Sequence, residues 1–343
     1  MKPVTIVGGG LAGLSLGVGL RRRDVPVTII EAGHYPRHRV CGEFISGRGR
    51  GVLAELGLEE KILAANSREV CTAAFFTPRS EGVARMLPQP ALCISRFSLD
   101  CLIADYFREL GGELWERRRW EGGFTEGIVR GTGHRTQPVV RGWRWLGLKA
   151  HARNVSMTSD LEMHLQSNGY VGLCRLSGGE ANVCGLFRTR AREPDLAQTW
   201  REWLLGPEGS ALRRRLAGAD FRENTFCSVA GLMIEPQTAA RQPECRIGDA
   251  LTMIAPLTGN GMSMAFESAA IAIEPLEAYS RGAMPWDDAR RLIGERCDAN
   301  FRRRLFWGRW LQAALLRGGI SDALVRIGSH CGGLWRMFFQ WTR

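Results

Sequence analysis

Residues 4–31 have the sequence VTIVGGGLAGLSLGVGLRRRDVPVTIIE, and this stretch decides the fold class. Residues 4–7 form a short β-branched run that is typical of a buried strand in a parallel sheet. Residues 11–20 distribute Leu, Ala and Val as a helix does, and a second β-branched run at 27–30 leads directly to Glu31. Strand, glycine turn, helix, strand and acid in this order predict a dinucleotide-binding βαβ unit.

The residues of the glycine turn have separate predicted roles. Gly8 permits the tight turn out of the strand, Gly10 lets the backbone approach a pyrophosphate, and Gly13 lets helix and strand pack closely. At Leu11 and Ala12, the helix start offers N–H groups that have no partner within the helix and would bind phosphate.

Glu31 narrows the choice of dinucleotide. It lies 18 residues after Gly13, close to the position of the acid that binds ribose hydroxyls in such units. An acid at this position favours an unphosphorylated adenosine ribose, so the stretch by itself predicts FAD or NAD rather than NADP.

Composition excludes several other classes of protein. With 343 residues and 45% hydrophobic content, the chain is long and apolar enough for about two packed domains. The formal net charge is +11, but no zinc-finger spacing or RNA-binding aromatic signature accompanies it, so nucleic acid is not an expected partner. No apolar run reaches the roughly 18 residues of a transmembrane helix.

The ten cysteines follow no CxxC pattern and no repeated spacing, which predicts free thiols and no metal site. Because the first strand begins near residue 4, we expect no signal peptide and a cytoplasmic protein with reduced thiols.

Three further segments carry motifs. Residues 39–46 read RVCGEFIS, residues 95–100 read SRFSLD, and RIGDA at 246–250 is followed by PLTGNGM at 256–262 and an Ala-rich helical stretch. Together with the glycine turn, these motifs resemble the FAD-dependent oxidoreductases that include geranylgeranyl reductases and single-component aromatic hydroxylases, which share the para-hydroxybenzoate hydroxylase fold. The resemblance covers most of the chain in order and favours FAD as the cofactor.

The resemblance implies roles for the first two of these motifs. Arg39 would lie near the ribityl and pyrophosphate groups of FAD, with Cys41 and Gly42 beside the flavin ring. Arg96 would reach the FAD phosphates through charge-assisted hydrogen bonds. From the residue types alone, a solvated basic loop and a surface arginine remain alternatives.

The third motif would hold the flavin end of the cofactor. By resemblance, Asp249 accepts hydrogen bonds from the ribityl chain, and Gly259, Gly261 and Met262 place a loop and a helix start against the flavin ring. The positive end of that helix would stabilise the negative charge of reduced flavin.

The implied fold class is α/β, with a Rossmann-like FAD-binding domain, an interleaved antiparallel β-sheet substrate domain and a C-terminal helical region. The FAD-binding domain is predicted at 1–70, 93–142 and 236–280. The substrate domain is predicted as strands at 71–92 and a sheet at 143–235, and the helical region at 281–343.

Local patterns give finer predictions. They include a helix over 51–65, a helix up to Leu110 capped by Ser98, and a hairpin of 169–174 with 181–187 around a turn at 177–179. Lys149 and His151 lie on an apolar strand, and we expect them to face solvent rather than the substrate pocket.

Two departures from the family pattern bear on the reaction. Where relatives that use NAD(P)H carry Asp-Gly, this chain has RGTGH at 130–134 followed by TQP at 136–138, so NAD(P)H remains a candidate reductant with an altered motif. The Tyr-x-Trp-x-Phe-Pro stretch of geranylgeranyl reductases is reduced to Tyr170 followed by VGL.

The loss of the reductase motif favours a monooxygenase that hydroxylates an apolar aromatic or polyketide-like small molecule, while the altered Asp-Gly motif counts against the common hydroxylases. The alternatives are a flavin-dependent reductase of an isoprenoid or activated double bond, and a flavin-binding protein without turnover. No residue is predicted as catalytic, since flavin enzymes of this kind often need no general acid or base.

Residues 301–343 are basic and aromatic. They predict either a helical cap on the domain or a peripheral contact with an anionic membrane, and the cap is favoured. The sequence does not predict the oligomeric state.

Overall fold

The computed structural model describes residues 1–134, 142–190, 196–330 and 332–341. The strands are β1 (Val4–Val7), β2 (Val27–Ile30), β3 (Phe44–Ile45), β4 (Arg68–Phe76), β5 (Arg85–Cys93), β6 (Glu113–Trp115), β7 (Ile128–Arg130), β8 (Trp143–Arg153), β9 (Leu161–Gln166), β10 (Gly169–Arg175), β11 (Glu180–Arg190), β12 (Asp220–Ala230) and β13 (Cys245–Arg246). The helices are α1 (Leu11–Arg21), α2 (Arg48–Glu55), α3 (Glu59–Ala64), α4 (Arg96–Glu109), α5 (Leu196–Leu205), α6 (Ala211–Leu216), α7 (Gly261–Ser280), α8 (Trp286–Leu315), α9 (Gly318–His330) and α10 (Gly332–Trp341).

The first sheet is parallel and has the strand order β13-β7-β1-β2-β6. The predicted strand–helix–strand unit is confirmed as β1, α1 and β2, with Val4 opposite Val27 and Val7 opposite Ile30. Residues 11–20 of α1 are buried throughout, because this helix packs between the sheet and α7. The β-branched runs and the apolar helix therefore form one core with α4 and α8.

The second sheet has eight strands in the order β12-β8-β11-β10-β9-β4-β5-β3. The hairpin of β10 and β11 is confirmed, with Gly172 opposite Cys184. The sheet is mixed rather than antiparallel throughout, because β4 and β9 run parallel to each other. Trp200 of α5 and Leu212 of α6 pack on the inner strands and share their core.

Two local predictions need correction. The predicted helix over 51–65 is divided into α2 and α3, since Gly57 adopts a φ of 70° that ends the first helix. The helix ending before Leu110 is capped by Ser95, whose Oγ accepts the Ser98 N–H at 3.2 Å. Ser98 is thus the donor of this cap and not the capping residue.

The second sheet contains a strand from residues 1–70, the first segment of the predicted FAD-binding domain. β3 lies within residues 1–70, which were assigned to the FAD-binding domain, yet it pairs with β5 at the edge of the second sheet. Phe44 lies opposite Cys93, so the segment that follows β2 joins the edge of the second sheet.

The last three helices follow α7. α8 packs on α7, and α9 and α10 pack against α8. Within the described ranges, no helix is both long and apolar enough to cross a membrane.

Candidate active site

A cavity of about 620 Å³ lies between the two sheets. One wall is the glycine turn and the start of α1, and a second is the loop over residues 37–44. The strands of the second sheet form the third wall, and Leu311 of α8 and Phe339 of α10 contribute from the C-terminal helices.

Most of the residues predicted from the motifs meet at this cavity although they are far apart in sequence. Those that line it are Gly10, Leu11, Ala12, Arg39, Cys41, Gly42, Arg96, Asp249, Gly259, Gly261 and Met262. The predicted residues outside the lining are Gly8, Gly13 and Glu31. Eleven of the fourteen predicted cofactor residues therefore share one connected space.

The glycines of the site form two groups: those that permit close packing of the backbone and those that face open space. Gly8 has a φ of 110°, and a Cβ there would lie 2.3 Å from the carbonyl oxygen of Gly131. A Cβ at Gly13 would lie 2.0 Å from the carbonyl oxygen of Gly8, so this glycine permits the contact of α1 with the turn. A Cβ at Gly10 or Gly261 would meet no protein atom within 4 Å, because both face the cavity.

Glu31 directly follows β2 and is almost fully buried. Its carboxylate accepts the N–H of Gly9 at 2.8 Å and that of Gly33 at 2.7 Å, and Arg37 forms an ion pair with it at 2.6 Å. Arg39 lies 3.7 Å away. The acid is thus fixed directly beside the glycine turn, and its contact with a ribose stays a prediction.

Arg96, the first residue of α4, forms a two-pronged ion pair with Asp100 at 2.6 and 2.7 Å. Asp100 is fully buried, and Arg39 lies 3.5 Å from the same carboxylate. Because Asp100 holds one edge of its guanidinium, Arg96 is oriented at the cavity wall rather than extended into solvent.

Asp249 follows β13 in a short 3₁₀ turn and faces the cavity. The surrounding walls raise the pKa of its carboxyl to about 6, although Arg96 acts in the opposite direction. Among the described residues, no hydrogen-bond donor to this carboxylate is found. A carboxylate that faces open space in this way is suited to accept hydrogen bonds from a hydroxylated ligand.

These features fit an FAD cofactor. The open glycines give backbone access, and the starts of α1 and α7 direct N–H groups into the same cavity as Asp249. FAD is long enough to need contacts at several segments, and the glycine turn, the 37–44 loop and the α7 start provide them.

A buried charged cluster, consisting of Glu43, Lys149, His151 and His38, forms part of the cavity wall. Glu43 and Lys149 are fully buried, and their Oε1 and Nζ atoms are 3.1 Å apart. His151 Nε2 donates to the other Glu43 oxygen at 2.7 Å, and Lys149 Nζ lies 3.1 Å from His38 Nδ1. The expectation that Lys149 and His151 face solvent is wrong, because the loop that carries Glu43 covers this part of β8.

Glu43 is held in an unusual conformation. Its φ is 57°, and its carboxylate also accepts the N–H of Arg96 at the start of α4. Burial by itself would raise the pKa of Glu43, but the hydrogen bond from His151 and the charge of Lys149 lower it further than burial raises it. The carboxylate therefore remains ionised inside the protein.

The rest of the cavity is mainly apolar. Leucine, methionine, valine and phenylalanine side chains of the second sheet line it, and the nearby cysteines are Cys41, Cys174, Cys184 and Cys227. The hydroxyl of Tyr170 is buried in this wall and has no hydrogen-bond partner within the described part of the chain.

The charged cluster was not identified from the sequence. Glu43 stands in the CGEF motif but received no predicted role. The spacing of Lys149 and His151 was the one sequence pattern that could have indicated the cluster. Residues two apart on a strand face the same side, so a charged pair on a buried strand indicates a shared buried partner. The predicted motif departure at 136–138 lies outside the described residues, and His134 before it lines the cavity.

Comparison with known families gives a match in the N-terminal part of the chain. Residues 1–118 match the family model described as FAD binding domain. No protein of curated function matches the chain.

Solved structures share the fold over almost the whole chain. A triple mutant of the flavin-dependent brominase Bmp2 matches with a TM-score of 0.73 at 17% identity, covering 99% of this chain and 98% of that one. PqsL, a probable FAD-dependent monooxygenase from Pseudomonas aeruginosa, has a TM-score of 0.69 at 16% identity, with 95% and 99% coverage. A geranylgeranyl bacteriochlorophyll reductase-like protein from Thermoplasma acidophilum has a TM-score of 0.72 at 16% identity, with 96% and 91% coverage.

The family match and the shared fold confirm the predicted resemblance to the superfamily of FAD-dependent oxidoreductases. They also confirm the fold class, a Rossmann-like FAD-binding fold with a second sheet and C-terminal helices.

Proposed function

We propose that this protein is an FAD-dependent monooxygenase that acts on an apolar aromatic or polyketide-like small molecule. One observation carries the proposal. The predicted FAD contacts from four separate segments line a single cavity, and that cavity continues over the apolar face of the second sheet. One end thus suits a dinucleotide and the other an apolar substrate.

The residues have distinct roles in this proposal. Leu11 and Ala12 bind the pyrophosphate by their N–H groups, Glu31 binds the ribose, and Arg96 contributes positive charge at the phosphates. Asp249 holds the ribityl chain, and the start of α7 at Gly261 lies against the flavin. When bound, FAD supplies the redox chemistry, while the apolar walls of the second sheet limit the access of water to the substrate end of the cavity.

The first experiment tests FAD binding. We expect purified protein to be yellow and to bind one FAD, and Asp249→Asn to weaken binding at pH 8. Colourless protein that takes up no FAD would refute the proposed function.

The second experiment separates the reaction types. FAD-loaded protein is given NADH or NADPH with a panel of phenols and, in parallel, isoprenoid alkenes. Substrate-stimulated oxygen uptake with a hydroxylated phenol supports the monooxygenase, while anaerobic saturation of an alkene would identify a reductase. If no candidate accelerates flavin reduction and no product forms, the protein binds flavin without turnover.

We also propose that α8 contacts an anionic membrane. Phe306 is 64% exposed and Trp310 is 47% exposed, and the exposed residues Arg302, Arg303 and Arg309 lie beside them on the same helix. Exposed aromatics combined with basic residues suit an anionic interface, and an apolar substrate could reach the cavity from there.

Vesicle sedimentation tests this contact. We expect binding to phosphatidylglycerol-containing vesicles, weak binding to pure phosphatidylcholine, and loss of binding in Phe306→Ser/Trp310→Ser. The exposed Trp115, on the edge strand β6 of the first sheet, gives a control in Trp115→Ser. Equal binding by the double variant would contradict the proposal.

A further inference from the structure

Neither cofactor binding nor apolar packing requires the charges of the buried charged cluster. An ion pair is expensive to bury, and this one is joined by His151 and by His38, of which His38 lines the cavity. Clusters of this kind are found preferentially at sites that move or hold protons.

The geometry fixes the tautomer of His38. A lysine ammonium can only donate, so its 3.1 Å contact makes His38 Nδ1 the acceptor. A neutral His38 must then carry its hydrogen on Nε2. This nitrogen forms no hydrogen bond within the described part of the chain, and the ring lines the cavity.

Neighbouring groups hold the His38 ring in place and keep it neutral. It stacks on Phe97 with ring centroids 4.7 Å apart and meets His151 edge-on at 5.2 Å. The pKa of His38 is lowered to about 4, first by burial and then by the charge of Lys149 and by His151. Glu43 acts in the opposite direction.

We propose that Lys149 and His38 form a proton-delivering couple for the reaction in the cavity, an inference that rests on the proposed function. Lys149 Nζ gives a proton to His38 Nδ1 as His38 Nε2 gives its own to an anion in the cavity. The anion becomes neutral, Lys149 becomes a neutral amine, and one proton is later recovered from water.

Glu43 and His151 are positioning residues in this arrangement. Glu43 holds the Lys149 ammonium, and the hydrogen bonds from His151 and the Arg96 N–H keep its carboxylate ionised while Lys149 changes charge. Oxygenation and double-bond reduction with NAD(P)H as the electron donor each consume one proton overall, so the couple serves either reaction.

A spectroscopic test needs neither FAD nor substrate. In protein labelled with ¹⁵N-histidine, we expect His38 to show the Nε2–H tautomer and to stay neutral down to about pH 4. In Lys149→Met, His38 should titrate closer to its ordinary value of 6.5. An Nδ1–H tautomer, or titration near 6.5 in the wild-type protein, would overturn the proposal.

A kinetic test uses FAD-loaded protein that is reduced with dithionite and mixed with oxygen. Reoxidation of anionic reduced flavin takes up one proton for each hydrogen peroxide formed. His38→Asn keeps an acceptor for Lys149 but cannot pass a proton, so we expect reoxidation about tenfold slower or more, with loss of the solvent isotope effect. His34→Asn, the same change at an exposed site in the same loop, should leave both unchanged.

Failure of the proton-delivering couple and failure of the proposed function give different results. An unchanged rate and isotope effect in His38→Asn would refute the couple while leaving the proposed function intact. Failure of the wild-type protein to bind FAD would refute the proposed function, and the tautomer and titration of His38 would still decide the state of the couple.

Discussion

Gly10 and Gly13 lie three residues apart, but a methyl group at each would meet different surroundings. At Gly13 it would contact the Gly8 carbonyl oxygen at 2.0 Å, while at Gly10 it would enter the cavity. The same residue type thus serves the fold at one position and the ligand at the other.

This contrast gives a prediction. Gly13→Ala should lower the free energy of unfolding by about 2–3 kcal/mol, because the helix must move away from the turn. Gly10→Ala should cost about 1 kcal/mol or less as a changed helix cap, yet weaken FAD binding by occupying the space of the pyrophosphate. Urea unfolding of the apoprotein and titration with FAD measure the two effects. Equal losses of stability in the two variants would contradict the assignment of Gly13 to the fold and Gly10 to the ligand.

Asp249 gives a pH-dependent prediction. Its pKa is 3.8 in the unfolded chain and about 6 in the folded one, so folding favours the protonated form. The resulting stability is complete below about pH 4 and is lost as the pH rises through 6.

Asp249→Asn should therefore stabilise the apoprotein at pH 8 by about 1 kcal/mol and have little effect at pH 4. The gain is smaller than for a fully enclosed carboxyl, since water reaches this one from the cavity. Thermal unfolding of the wild-type protein and the variant at both pH values measures this gain. An equal difference in stability at pH 4 and pH 8 would exclude the raised pKa of Asp249 as its cause.

At the scale of elements, α7 and α8 are joined by a buried ion pair. Arg304 donates to both oxygens of Glu267, at 2.7 and 2.5 Å, and both side chains are nearly inaccessible. Neither partner was assigned from the sequence, because they lie 37 positions apart on different helices.

Arg304→Met should destabilise the protein by about 3–5 kcal/mol, because it leaves the Glu267 charge buried without a partner. The double variant Glu267→Leu/Arg304→Leu should recover most of this loss. Arg303→Met, an exposed change one residue away, should stay within about 0.5 kcal/mol of wild type. Chemical unfolding of the wild-type protein and the three variants measures these differences, and a double variant no better than Arg304→Met would contradict this account.

At the scale of the whole molecule, the C-terminal helices complete the cavity. Leu311 and Phe339 line it, and Trp341 stacks on Trp307 with ring centroids 4.1 Å apart, which fastens α10 to α8. These contacts favour the predicted helical cap, and the exposed face of α8 leaves room for a membrane contact beside it.

Phe339→Ala should open this wall without removing an FAD contact. We expect FAD to bind as before but its fluorescence to be quenched by iodide at least about twofold more strongly, as water gains access to the cavity. Gln340→Ala, at an exposed neighbouring position, is the control. Unchanged quenching in Phe339→Ala would mean that this side chain does not shield the flavin.

Much of the fold could be predicted because its signals are local. The β1–α1–β2 unit, the β10–β11 hairpin and the start of α7 follow from β-branched runs, glycine turns and apolar spacing within a few residues. The break at Gly57 and the cap at Ser95 were missed, since each depends on one backbone conformation that neighbouring residue types do not specify. The parallel pairing of β4 with β9 was missed because the two strands are distant in the chain.

The sequence by itself determined the nucleotide-binding unit, the class of cofactor and most of the residues at the cavity, because those signals come from residue type and short spacing. Only the tertiary structure decided that Glu43, Lys149, His151 and His38 form one cluster. The charge of a residue is set by its type, but its burial and partners depend on which distant segments cover it. The stretch from Val4 to Glu31 predicts where FAD binds, and the loop that crosses β8 decides which side chains can move a proton beside it.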